Sequence, residues 1–544
     1  MLIRRLLAIA LLFGCLPTNA AEHAAEGTPL VRLAEIGPWP AISAMIGYRG
    51  RLWFVNSVKY RNHNSADLYS YNPATGKTRY EAHLFSQDAG EPTIHRGLLY
   101  WPFEDARGSV GRGEFMVTNT KSWRWGFLPE VRAFHVHAMA SHKGALYAAT
   151  SAWRAGLQRS TDGGISWKIL YDHGNPSSQV SRIVALISAG GRLYAGLYAR
   201  YRVGISLLRL EGGTLRPVKG WPNGVGALPL TAWRGQLYAI NAASGDRALY
   251  RIEGDRIVRI TAFNGRFVRD VAGTKEALWA ITAYRGGGAL WRSGNGLLWR
   301  KVQDFTGDRP VDIAVHGGRI YVGVIGRNKK GALFGTMSPQ ISEAIAPAPA
   351  LPRRFGTRPA GPPAKLLGRL DSLMAEQKNY RGHGPEILKT LRALALYRSP
   401  AVGQALSERL GRPYPGAMQR MFGGQSRAPS ARVARWYLLW GLAMNGQGRV
   451  PARLIGAPWT VKRNGAEKYL AAPPGAAWAA ARLGQRDRAT IGALIARLGR
   501  TGDPDWLEGD IFGALTVLTG QRLGYNRTAW RQWWRAQRKA KERH

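Results

Sequence analysis

The sequence predicts a mainly β chain: a seven-bladed β-propeller followed by an all-helical domain. Three observations carry this. One short phrase, a tight turn then Gly-x-Leu-aromatic and a small or β-branched run, recurs with its first residue at positions 50, 97, 144, 191, 235, 276 and 318. Each copy sits between runs of strand character, so that one repeat parses as two hairpins. Beyond residue 364 the apolar period lengthens from strand-like to helix-like. A period of about 40–50 residues built from short strands is the signature of propeller blades, one four-stranded sheet per repeat.

Each element follows from local chemistry. Residues 1–20 have the pattern of an export signal: Arg4 and Arg5, an apolar stretch over residues 6–13, and the small-residue site Thr18-Asn19-Ala20. The expectation is a periplasmic or extracellular protein. Leu12-Phe13-Gly14-Cys15 has the form of a lipoprotein box, so Cys15 is the alternative point of membrane attachment. Cys15 is also the single cysteine, so no disulfide is expected to staple the fold. The propeller is assigned to residues 28–338. In its first repeat Tyr48-Arg49-Gly50 turns one hairpin and Asn72-Pro73-Ala74-Thr75-Gly76 the next, with Pro and Gly where such turns need them. The last repeat shows three strands and no clear fourth. Residues 30–35 read as an orphan strand, which is expected to complete the seventh blade and close the ring.

The third repeat contains Ser160-Thr161-Asp162-Gly163-Gly164-Ile165-Ser166-Trp167. A degenerate copy, Ser293-Gly294-Asn295-Gly296-Leu297-Leu298-Trp299, occupies the equivalent place in the sixth. This pattern resembles the Asp-box of the BNR or sialidase-like propeller superfamily. The resemblance implies a structural turn, with Ser160, Asp162, Gly164 and Trp167 as its elements and no catalytic part for Asp162. It also implies that a true sialidase would carry an arginine triad, a Tyr–Glu pair and an aspartic acid/base. The Arg-Ile/Leu-Pro segment usually found ahead of the first blade is absent, since residues 30–40 hold only Arg32.

A glycosidase of any kind needs two carboxyl groups about the scissile bond. Acidic residues are sparse in the propeller. The candidates are Glu91, Glu104 and Asp105, with Asp67 and Asp88 beside them, and each also fits a turn or a solvated loop. His135 and His137 alternate on one strand and so share a face, with His95 and His63 in neighbouring repeats. They are candidates for holding a ligand. No carboxylate or cysteine stands near them at a metal-ligand spacing, so no metal and no cofactor is expected. Trp153, Trp221 and Trp233 fall in or near connections, where exposed aromatics beside arginines would suit a sugar.

Charge bears on partners. The chain has 77 Lys and Arg against 34 Asp and Glu, a formal charge of +43. An anionic glycan, a cell-envelope polymer or an acidic protein fits this, while export argues against nucleic acid. Residues 339–364 form a proline-rich linker. From residue 365 the helical period sets in, with Leu366, Leu367, Leu370, Leu373 and Met374 on one face. The stretch 514–534, with Trp530, Trp533 and Trp534, resembles the end of bacterial HEAT-like domains, which implies a helical-repeat interaction surface. The reading with most support from the sequence is an exported, non-catalytic binding or scaffold protein. A sialidase-like hydrolase, or a lyase of acidic sugars, is the alternative.

Overall fold

The computed structural model describes residues 29–542, apart from 60–63, 107–112, 129–132, 153, 175–180, 200–205, 244–245, 337–346, 353–357, 376–379, 413–417, 422–425, 458–471 and 504. The signal segment with Cys15, His63, Trp153 and much of the linker lie outside the described residues. The β-propeller and the C-terminal helical region expected from the sequence are both present.

Blade 1 runs outward through Ala41–Tyr48, Arg51–Ser57, Asp67–Asn72 and Lys77–His83. Blades 2 to 6 repeat the same antiparallel order, their innermost strands being Thr93–His95, Ala133–His142, Ser181–Ala189, Gly226–Trp233 and Val268–Gly273. Blade 7 consists of Arg309–His316, Arg319–Ile325 and Gly331–Gly335. Its outer strand is Val31–Ile36, which pairs antiparallel with Gly331–Gly335 in a register from Val31↔Gly335 to Ile36↔Gly331. The ring is thus joined by hydrogen bonds between strands about 300 residues apart in sequence, and the edge that blade 7 would otherwise expose is paired.

The repeated aromatic explains why the blades stack. Trp53, Tyr100, Tyr147, Tyr194, Tyr238 and Tyr321 are each buried in the apolar cluster between their own blade and the next. Trp279 packs in the same way between blades 6 and 7. A sheet cannot bury its second face alone, so one large ring per repeat seals each interface. Trp221 and Trp233, placed by the sequence near connections, belong to this packing too. Their indoles donate to Ser206 Oγ at 3.0 Å and to the Thr274 carbonyl at 2.7 Å. They are therefore core residues and offer no stacking platform.

Antiparallel order gives the propeller two unlike ends. Turns joining the first strand of a blade to its second, and the third to the fourth, lie at one end. Links from second to third, and from one blade to the next, lie at the other. The repeated Gly turns and both box-like turns occupy the first, the turn end. The irregular connections occupy the second, the loop end.

The helical region contains α1 (Pro363–Ala375), α2 (Tyr380–Ala395), α3 (Pro400–Leu410), α4 (Ser430–Asn445), α5 (Ala452–Gly456), α6 (Ala472–Leu483), α7 (Arg488–Arg497), α8 (Asp505–Thr519) and α9 (Arg527–Glu542). A short hairpin, Met418–Met421 with Ser426–Pro429, lies between α3 and α4 and has no forewarning in the apolar period. Helix α8 starts six residues before its apolar run, where Asp505 and Glu508 sit in its first turn and favour the dipole. Trp530 is fully buried and donates to the Gly524 carbonyl at 2.9 Å, with Trp533 and Trp534 half-buried against the same core.

The helices dock on blades 1 and 2. His83, at the end of blade 1's outer strand, is inaccessible to solvent and bonds Asp67 through Nδ1 at 2.8 Å and Asp510 of α8 through Nε2 at 3.0 Å. Tyr525 Oη and Trp39 Nε1 also donate to Asp67, at 2.8 and 2.9 Å. Burial alone would push the imidazole down. The bonds to Asp510 and Asp67 prevail and hold its pKa up at about 9. Asp67 is thereby a fully committed structural residue and not a loop acid. Nearby, Arg482 of α6 lies 3.3 Å from Glu114 of blade 2 and 4.5 Å above the Trp125 ring.

Candidate functional site

The catalytic and ligand candidates divide by end. His95 lies at the turn end, its Nδ1 paired with Ser141 Oγ of the next blade at 2.8 Å. His142 repeats the device one blade on, with Ser188 at 2.8 Å. Both are ties between neighbouring blades, so His95 is not brought to the other histidines.

The turn at Asp162 is likewise fully occupied. Its Oδ1 accepts the amides of Ile165 at 3.1 Å and Ser166 at 2.9 Å, while Ser160 Oγ donates to it at 2.7 Å and accepts the Gly164 amide at 2.8 Å. Gly164 has φ +91°, a conformation that suits glycine. The degenerate copy makes the same bonds with an amide: Asn295 Oδ1 accepts from Leu297 and Leu298, both at 2.9 Å. Replacing Asp162 by alanine is expected to cost about 1–2 kcal/mol in urea unfolding, from several net hydrogen bonds of which part is regained from water. It should leave ligand binding at the opposite end unchanged.

At the loop end the remaining candidates meet. Glu104 and Asp105 leave blade 2's second strand, and His135 and His137 begin blade 3's innermost strand. Donor atoms of Glu104, His135 and His137 all lie within 4.8 Å of one another. The two rings stack at 5.0 Å with 20° between planes. Asp105 Oδ1 is 3.2 Å from His135 Nδ1, and Ser151 Oγ is 2.7 Å from His137 Nε2. Arg182, opening blade 4, stands 3.6 Å from Glu104. Linear spacing offers these histidines no carboxylate. The fold supplies one from the neighbouring blade, a relation that no reading along a single strand can reveal.

Glu91 continues the cluster toward the axis. Its amide donates to the His137 carbonyl at 2.8 Å and its carbonyl accepts from Met139 at 3.2 Å. Two acids that sequence reasoning missed join it. Asp270 and Asp312 lie on the innermost strands of blades 6 and 7, each at a break in strand register. Asp270 caps the Ile313 amide at 3.1 Å and Asp312 the Met45 amide at 3.2 Å. Lys59 binds Asp88 at 2.6 Å among them. Glu91 keeps contact with solvent, yet the protein packed around it and then repulsion from Asp312 push its carboxyl upward; burial and the same neighbour push Asp270 up, and burial pushes Asp312 up against the pull of Lys59. Burial holds His135 down at about 4, assisted by Arg182 and opposed by Glu104. His137 is lowered by burial and by His135. In a strongly basic chain, the propeller mouth is an enclave of carboxyl groups and neutral imidazoles.

Beside this mouth, at blades 5 to 7, the loop end holds a cavity of about 810 Å³. Arg266, Arg269, Arg285, Lys301 and Arg309 line it with Phe267, Tyr284 and Trp291, and its one acid, Asp304, pairs with Lys301 at 2.7 Å. The guanidinium groups of Arg247 and Arg269 lie 5.1 and 4.6 Å from the centre of the Phe267 ring. Arg266 lies over Trp291 at 4.7 Å. Tyr284 is 52% exposed and Phe267 37%. These are the open aromatics beside arginines that Trp221 and Trp233, both buried, are not. The sequence signal was present in Phe267-Val268-Arg269 and Tyr284-Arg285, but such pairs are common in so arginine-rich a chain.

No family model and no curated protein matches the chain. Among solved structures it is similar to the β-propeller domain of the Trilobed protease from Pyrococcus furiosus, at 10% identity and a TM-score of 0.39, covering 55% of this chain and 95% of that one. It is similar to the β-propeller domain of Cps50 (Swd1) from Myceliophteria thermophila, at 13% identity and a TM-score of 0.39, covering 55% and 98%. It is also similar to the extracellular domain of the putative one component system BT4673 from B. thetaiotaomicron, at 14% identity and a TM-score of 0.40, covering 56% and 40%. These are likenesses of fold.

Proposed function

We propose that this chain is an exported binding protein for an acidic glycan-type polymer, taken at the loop end of the propeller. The observation that carries the reading is the cavity of blades 5 to 7, where five cations surround exposed aromatic rings. Guanidinium groups pair with carboxylate or sulfate, and rings offer a face to the sugar. The helical region, locked to blades 1 and 2, supplies a second surface at a fixed distance. Helix α4 packs between α2 and α6, and α6 between α4 and α8, an order that supports a HEAT-like helical repeat. The turns at Asp162 and Asn295 support kinship with the Asp-box propellers.

The test is binding of the purified chain to a polyuronate and to a neutral glucan of equal length. Retention on the polyuronate is expected to fall steeply with salt, since the contacts are ionic. Arg269→Gln/Arg309→Gln is expected to weaken it at least tenfold, with neutral-glucan retention weak throughout. Salt-insensitive binding, or full affinity in the double variant, would refute the assignment.

A second reading is a hydrolase or lyase of the same polymer. The observation in its favour is the pair Asp270 and Asp312 on the innermost strands of adjoining blades beside the cavity, with Asp270 bonded at 3.1 Å to the amide of Ile313, the residue that follows Asp312. Release of reducing ends or unsaturated uronate from the polymer, abolished in Asp312→Asn, would establish it.

A further inference from the structure

We infer that Glu104, His135 and His137 form a binding site for a divalent transition metal of the zinc type. Two imidazoles and one carboxylate are a donor set that such ions take and that magnesium or calcium does not favour. Their donor atoms fall within 4.8 Å of one another. Ligands around one zinc stand about 3.4 Å apart at bond lengths of about 2.0–2.2 Å, so small side-chain rotations close the set.

Three further features fit a built site. His135 and His137 are two residues apart on one strand, and the register shifts beside both, which turns the two rings toward one place. His137 has its Nε2 engaged by Ser151 at 2.7 Å, the kind of outer contact that orients metal-binding histidines, and Asp105 stands 3.2 Å from His135 Nδ1. The site is also open on one side: side-chain exposure is 10% for His135 and 25% for Glu104. A bound ion would therefore keep a coordination position toward the mouth, where water or an oxygen of a ligand could enter. Arg182, 3.6 Å from Glu104, supplies positive charge there and would yield to the ion.

The experiment uses the full mature chain without a histidine tag, stripped with chelator. Zinc is titrated by calorimetry and cobalt by its visible absorption, which reports a low-symmetry ligand field. One equivalent per chain is expected. His135→Ala/His137→Ala should abolish it, Glu104→Gln should weaken it at least tenfold, and Arg182→Gln should tighten it. His142→Ala, which removes a histidine at the turn end, should bind as the parent does. Circular dichroism and thermal unfolding of each variant separate lost ligands from lost fold. Absence of a cobalt spectrum in the folded parent, or an unchanged equivalent in the folded double variant, overturns the proposal. Polymer binding through the arginine cavity is a separate readout and survives either result.

Discussion

His83→Ala is expected to destabilise the chain by about 3–5 kcal/mol in urea unfolding, because it leaves the buried acids Asp67 and Asp510 without their cation. The loss should exceed that of any single surface ion pair, which contributes about 0–1 kcal/mol. The same joint can be forced apart without touching charge. A Cβ on Gly513 would lie 2.5 Å from the His83 Cβ, so Gly513→Ala should also separate α8 from blade 1. Both variants should expose the linker region to protease while the propeller core stays protected. The joint also carries a pH dependence. The folded pKa of His83 is raised to about 9 from 6.5, so its contribution is complete below about pH 6.5 and is lost as the pH rises through about 9. Folding should take up about one proton across that window, and His83→Gln should remove the uptake.

Gly90→Ala should have the second large effect, on the site itself. A Cβ at this position would sit 2.0 Å from the His137 carbonyl oxygen, and a backbone atom cannot swing aside. Relief requires opening the bridge between Glu91 and Ala138, which carries Glu91 away from the mouth. The expected result is a loss of about 1–3 kcal/mol in stability. The zinc equivalent at His135 and His137 should weaken as their strand shifts. Parental stability with full zinc binding would show that the bridge does not position this strand.

What could be read in advance and what could not follow the two ends of the propeller. The Gly turns, the aromatic at each blade interface and the Asp162 turn all belong to the turn end or the core. There the turn-and-aromatic phrase recurs in all seven repeats and the box turn in two of them, so the residues announce their place by periodicity. The loop end has no such period. Glu104 and His135 are neighbours only because two blades meet, and Asp270 and Asp312 lie on strands whose other residues look like ordinary sheet. Asp67 shows the reverse error: a loop acid by its sequence, it is consumed by a joint whose partners, Asp510 and Tyr525, lie more than 400 residues away. His95 and His135 both belong to innermost strands, but one ends its strand and the other lies near the start of its own, so they face opposite ends of the ring.

If the loop end is the ligand face and the arginine cavity its anion site, a bound acidic oligosaccharide must shield the cavity's own backbone. Hydrogen exchange of the full chain with and without an acidic oligosaccharide locates the ligand most directly. Slowed exchange is expected in peptides spanning residues 265–269 and 282–287, with none at residues 160–167. Protection confined to the turn end, or to the basic helix α9, would contradict the account.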